Sequence, residues 1–299
     1  MTAAGSREMR RLGRMARLTI QPFARRPRVI RALMATGLLS RDFPLPRRAR
    51  RELDTVRRKL QGRPVWTLSP KDVAQDAPLV LYLHGGAYVC GIAPPHWQFL
   101  TTLAQSGAVI EVPLYGLAPQ HGVHHALDLL NALWAEIAQR HPGRPVTLMG
   151  DSAGGGLALA FAMHLRDRGQ PLPQRLVLMA PWADITCSDP AVDERRQDDP
   201  MLARAGALLA GEVWADGADP RDPSLSPIHG DMAGLPPTDI YQGTRDMLRT
   251  QVEALAEKMR AAGVRVDLTL CPGGLHVYPI FDAPEGNAAT ARIAARLRG

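Results

Sequence analysis

Gly150-Asp151-Ser152-Ala153-Gly154 sets a serine between two glycines at the spacing G-x-S-x-G. The four residues before it, 146–149, read as an apolar strand, and the small-residue run after it reads as a helix. A serine on a sharp strand-to-helix turn is presented as a nucleophile, and only glycine neighbours let adjoining backbone pass so closely. The helix that begins after Ser152 adds a dipole favouring negative charge beside the oxygen. The chemistry suggested is acyl transfer through a covalent intermediate. That chemistry needs a base, a group to orient the base, and N–H donors for the oxyanion.

Each requirement has a candidate. His84-Gly85-Gly86-Ala87-Tyr88 follows an expected strand at 79–83, and its glycine pair supplies a loop whose amides can turn inward, with Ala153 as the other donor. The base must lie beyond the acid in the order serine, acid, histidine. His276, in Gly273-Gly274-Leu275-His276-Val277-Tyr278, follows the last expected strand. His121, His124 and His125 precede the serine, His164 lies in the helix after it, and His229 precedes the expected acid. Asp246, in Gly243-Thr244-Arg245-Asp246-Met247-Leu248, stands just past the strand at 239–242 and would orient the imidazole. Capping the next helix is its competing role. Asp239, at a strand start, and Glu253, inside a helix, are the weaker acids. No metal or cofactor is expected: H-E-x-x-H and D-x-D-x-D-G are absent, and the glycines at 154–156 follow a serine instead of forming G-x-G-x-x-G.

The elements that must position these groups alternate. Strands are expected at 65–68, 79–83, 108–112, 146–149, 176–179, 239–242 and 266–270. Helices are expected at 97–105, 126–138, 155–166, 248–262 and 287–297. Such alternation predicts a mostly parallel sheet covered by helices on both faces. Two segments break the pattern. Residues 1–63 carry 18 Lys/Arg against 4 Asp/Glu, and their prolines (Pro22, Pro27, Pro44, Pro46) divide two or three helices. Residues 183–219 follow a strand yet hold a helical run at 202–214. Both are expected as cap above the strand ends. The core is then 64–182 plus 220–299, with 1–63 a basic helical cap segment and 183–219 a cap insertion.

Length and composition suit one soluble α/β unit of 299 residues, 45% hydrophobic. Nothing reaches a membrane-span length, no secretory leader is evident, and a cytoplasmic protein is expected. Cys90, Cys187 and Cys271 are odd in number and far apart, which argues against a disulfide framework or a zinc site. The net charge of +7 is concentrated in the basic segment. There Met9, Leu12, Ala16 and Ile20 keep helical spacing opposite Arg7, Arg10, Arg11, Arg14 and Arg17. The helix suits an apolar surface, and weak contact with anionic membrane is one expectation, beside an ordinary solvated face. Nucleic acid is not expected, because no aromatic side chains interleave the arginines.

Together the four motifs, with Ser226-Pro227 and Leu235-Pro236-Pro237, resemble the hormone-sensitive-lipase-like, bacterial acetyl-esterase-type family of α/β-hydrolases, from about residue 79 to the C-terminus. The resemblance implies that fold, a helical cap, no cofactor, and short-to-medium acyl esters as substrates. It assigns catalysis to Ser152, Asp246 and His276. The oxyanion hole would be Gly86, Ala87 and Ala153, with Gly85 shaping the loop. Ala87 stands where the family has a third glycine, and Gly116 and Gln120 replace charged residues of its Tyr-Arg-Leu-Ala-Pro-Glu stretch. An amidase, formamidase or lactonase would use the same machinery, and a non-catalytic small-ligand receptor is the rival outside enzymology. The sequence leaves a homodimer open.

Overall fold

The computed structural model describes residues 5–190, 192 and 198–298. Residues 191 and 193–197 of the expected cap insertion lie outside them. The sheet has eight strands: β1 (Leu53–Leu60), β2 (Arg63–Pro70), β3 (Leu79–Leu83), β4 (Val109–Pro113), β5 (Val146–Asp151), β6 (Arg175–Met179), β7 (Thr238–Arg245) and β8 (Val266–Leu275). Their order is β1-β2-β4-β3-β5-β6-β7-β8. β1 with β2 and β2 with β4 are antiparallel, and every later pairing is parallel.

Alternation along β3 shows why both faces are covered. Leu79, Leu81 and Leu83 enter one core cluster, and Val80 and Tyr82 enter the other. The first is closed by α6 (Val123–Arg140), α7 (Ser152–Asp167) and α9 (Arg249–Ala261), through residues such as Leu130, Phe161 and Leu255. The second is closed by α5 (Pro94–Gln105) and α10 (Pro284–Arg298), through Trp97, Leu100 and Ile293. In α6, buried Ala126, Leu129, Leu130, Leu133 and Ile137 follow the helical repeat.

The basic N-terminal stretch forms α1 (Arg7–Thr19), α2 (Gln21–Ala24), α3 (Pro27–Ala35) and α4 (Arg47–Glu52). One part of that expectation needs correction: residues 53–60, assigned to the helical segment, are an edge strand. Its hairpin turn uses Gln61 and Gly62, both at positive φ, as a two-residue turn requires. Strand character was masked because β1 carries Arg57, Arg58 and Lys59, which suit an edge. Arg58 folds back to Glu111 and Glu136, at 2.8 and 2.9 Å, so the charge is spent on the buried Glu111. In the mid-chain insert, α8 (Arg204–Ala215) occupies the expected helical run.

Candidate active site

Because β3, β5, β7 and β8 run parallel, their C-terminal ends share one edge of the sheet, where open α/β sheets bind ligands. Ser152 follows β5, Asp246 follows β7 and His276 follows β8. Residues separated by 124 positions thereby meet: His276 Nε2 lies 2.8 Å from Ser152 Oγ. On its other side, His276 Nδ1 lies 2.8 Å from Asp246 Oδ2. His276 and Asp246 are buried, and Ser152 is half-buried.

Local sequence explains the serine's pose. Ser152 has φ +50°, the strained left-handed conformation of a nucleophile elbow. A Cβ on Gly154 would clash with the Leu83 carbonyl oxygen, so the helix could not pack so close to β3. Asp246 is fixed before the imidazole reaches it: the Gln242 amide donates to Oδ2 at 2.8 Å and the Leu248 N–H to Oδ1 at 2.9 Å. The bond to Leu248 closes a turn just before α9, whose N-cap is Leu248 with no side-chain cap bond, so Asp246 does not take the helix-capping role that competed for it in the sequence.

The loop after β3 carries the amides expected as oxyanion donors. The amides of Gly86, Ala87 and Ala153 donate to no group among the described residues. Gly85 differs: its N–H donates to Asp151 Oδ1 at 2.8 Å, so its part is to shape the loop. Gly86, Ala87 and Tyr88 all have positive φ, and the Gly86 carbonyl accepts from Val89 and Cys90 to close the turn. Tyr115 Oη donates to the His84 carbonyl at 2.6 Å, and its ring stacks on His84 with centroids 4.6 Å apart. Burial pushes His84 down to about 4, so the ring is neutral at working pH. A Cβ on Gly116 would lie 2.5 Å from the His121 ring, which leaves no room for the family's larger side chain.

Three supporting residues were not singled out from sequence. Asp151 occupies the variable slot of G-x-S-x-G, yet it accepts from Gly85 and from Tyr82 Oη at 2.5 Å, and His96 Nε2 lies 3.3 Å from its Oδ2. Burial disfavours its charge, but His96 and the donated bonds prevail and hold the carboxyl below the usual range. Asp199, fully buried, accepts the Met201 and Leu202 amides on Oδ1, and Met247 N–H on Oδ2 at 2.9 Å. Gln21 of α2 donates to its carbonyl at 2.5 Å. The one available signal was Asp199-Pro200, a turn-forming pair. Burial raises the Asp199 carboxyl, and the nearby Asp246 raises it further. For His96, no sequence pattern pointed to the site.

Electrostatics favour a base. Burial disfavours the imidazolium of His276, but Asp246, with smaller help from Asp199 and Asp151, outweighs it and raises the pKa above the ordinary value. A cavity of about 590 Å³ holds none of these groups; it opens near Leu79, Thr147 and Arg175, at the opposite ends of the strands.

Known proteins share this architecture. A family described as the alpha/beta hydrolase fold matches residues 80–280. An acetyl-hydrolase of Streptomyces hygroscopicus is 36% identical over 229 residues, spanning 75% of this chain and 76% of its own. A carboxylesterase of Mycobacterium tuberculosis is 33% identical over 256 residues, spanning 79% and 77%. An esterase of the bacterial hormone-sensitive lipase family superposes with TM-score 0.84 at 29% identity, covering 99% of this chain and 98% of that one. EstE5, soaked with p-nitrophenyl butyrate, gives 0.85 at 27% identity, with 98% of each chain covered.

Proposed function

The chain belongs to the α/β-hydrolase fold family, among its hormone-sensitive-lipase-like serine carboxylesterases, and from that premise we propose that Ser152, His276 and Asp246 are its catalytic triad. The observation that carries this reading is the unbroken chain of two 2.8 Å contacts from Ser152 Oγ through His276 to Asp246. Ser152 Oγ attacks the ester carbonyl carbon as its proton passes to His276 Nε2. The carbonyl oxygen becomes an oxyanion, which the amides of Gly86, Ala87 and Ala153 stabilise. Collapse breaks the ester C–O bond, and His276 gives its proton to the leaving alcohol. Water then attacks the acyl-enzyme, again losing a proton to His276, and the acid departs as Ser152 regains its hydrogen. Throughout, Asp246 keeps the imidazole turned toward the serine and stabilises its protonated form.

The substrate in this reading is a small ester with a short or medium acyl chain. Ser152→Ala is expected to lower p-nitrophenyl ester turnover by about 10³-fold or more while leaving the circular dichroism melt unchanged. A fluorophosphonate probe should label the native chain and not the variant. Turnover retained by folded Ser152→Ala would refute the assignment. A series of acyl lengths tests the chain-length preference, and a maximum among long chains would refute it.

A further inference from the structure

The face made by the N-terminal helices does not resemble an ordinary solvated surface. α1 buries Met9, Gly13 and Ala16, and Ser6 at its start donates to Glu285 of α10 through N–H and Oγ, at 2.5 and 2.8 Å. The apolar stripe read from sequence is thus partly used by the protein's own core. A second set of apolar side chains remains in solvent. Leu18 is 79% exposed and Phe23 53%, and Met15 and Ile20 are also exposed. Single exposed leucines are common. Four large apolar side chains within nine residues of chain are not, and here they are surrounded by exposed Arg7, Arg11, Arg14, Arg25, Arg26 and Arg28. Glu8 is the only acidic residue between positions 5 and 35.

Two open hollows lie along the same face. One, about 250 Å³, is lined by Arg10, Gly13, Arg14, Arg17 and Arg245. The other, about 410 Å³, is lined by Arg17, Gln21, Pro22, Arg25 and Arg26. Leu18 sits one helical turn after Arg14, so an apolar group and a guanidinium at the hollow point to the same side of α1. A polynucleotide would offer phosphates to the arginines but nothing for Leu18 and Met15 to enter. An anionic phospholipid surface offers both, with phosphate oxygens for the guanidinium forks and an acyl boundary for the apolar side chains.

We propose that the face formed by α1 and α2 docks the protein on anionic phospholipid bilayers, with Met15, Leu18 and Phe23 entering the acyl boundary and the arginine-lined hollows receiving headgroup phosphates. The proposal goes beyond ester hydrolysis and needs no active serine. Its consequence for catalysis is positional. Arg245, which lines one hollow, immediately precedes Asp246, so docking brings the site edge of the sheet near the phase into which apolar esters partition.

The test is flotation of the full-length protein with vesicles of phosphatidylglycerol and phosphatidylcholine, against pure phosphatidylcholine. Binding is expected on the anionic vesicles only, and it should weaken steeply from low salt to about 0.5 M as screening shortens the reach of the arginines. Leu18→Asp and Phe23→Asp should each lower the partition coefficient about tenfold, and Arg14→Ala about fivefold. All three should turn over soluble p-nitrophenyl acetate as the native chain does, which separates loss of docking from loss of catalysis. No flotation with anionic vesicles at low salt would overturn the proposal. So would native-like binding by Leu18→Asp, tighter retention on a polynucleotide than on the vesicles, or sedimentation showing self-association that Leu18→Asp abolishes, since a second copy would then cover the patch.

Discussion

Asp199 is a carboxylate that serine hydrolysis does not formally require, yet it is bonded to the backbone directly after Asp246, the proposed triad acid. Its negative charge favours the imidazolium of His276, which also faces Asp246 and Asp151. The sign follows: His276 must be neutral to accept the serine proton, so activity falls as pH drops through a value above the ordinary histidine pKa of about 6.5. Asp199→Asn removes one of the three anions, and the acid limb of the kcat/KM profile should move to lower pH. A profile unmoved by the variant, measured on p-nitrophenyl acetate, would reduce Asp199 to a structural link. Ala87 carries strain of its own in the loop after β3. It sits at φ +53° where the family has glycine. Left-handed strain of about 1–2 kcal/mol exceeds the roughly 0.4–1 kcal/mol that glycine's freedom in the unfolded chain costs. Ala87→Gly should therefore be neutral or stabilising in a thermal melt, with turnover retained; a clear loss of stability would show that the methyl group packs usefully.

Among the elements, α8 is held to the loop after β3 by aromatic stacking. Trp214 lies 4.2 Å from Tyr88, ring centroid to ring centroid, with the planes 4° apart, and Trp182 stacks on Tyr88 at 5.8 Å. All three rings are buried. The insert helix thus packs directly on the loop whose amides are proposed to hold the oxyanion. Trp214→Ala should cost roughly 3–5 kcal/mol in denaturant unfolding and lower kcat more than it raises KM, because loop geometry matters most as charge develops. Trp214→Phe, which keeps a ring, should restore most of both. Equal loss in the two variants would mean that stacking is not the connection.

For the molecule as a whole, the N-terminal helices are part of the folded unit, whatever else they touch. Met9 is fully buried in the cluster that holds Leu275 and Ile293, and Gln21 reaches Asp199. Removing residues 1–24 should lower the melting temperature by roughly 5 °C or more and reduce ester turnover, since the bond from Gln21 to the Asp199 carbonyl is lost. An unchanged melt would show that these helices ride on the core without supporting it. Among the described residues, no helix is long and apolar enough to cross a membrane, so contact with lipid would be through a face.

How much was legible follows from the range of each interaction. Strands β3 to β7 were readable because both faces are largely buried, and buried strands are written as short apolar runs. Ser152 and the glycines around it were readable because an elbow is local: strand, turn and helix are adjacent in the chain. Strand β1 was not, because its run of charged residues hides the strand pattern, and its Arg58 is answered by Glu111 and Glu136, far away in sequence. Asp199, the Asp151–His96 pair and the docking of α1 on α10 were equally hidden. Their partners lie up to 279 positions apart, and no local pattern encodes a contact across that distance. The sequence by itself determined the chemistry available and the order in which its groups arrive. The tertiary structure alone decided which buried charges support them, because that depends on which loops the closed sheet brings to one edge.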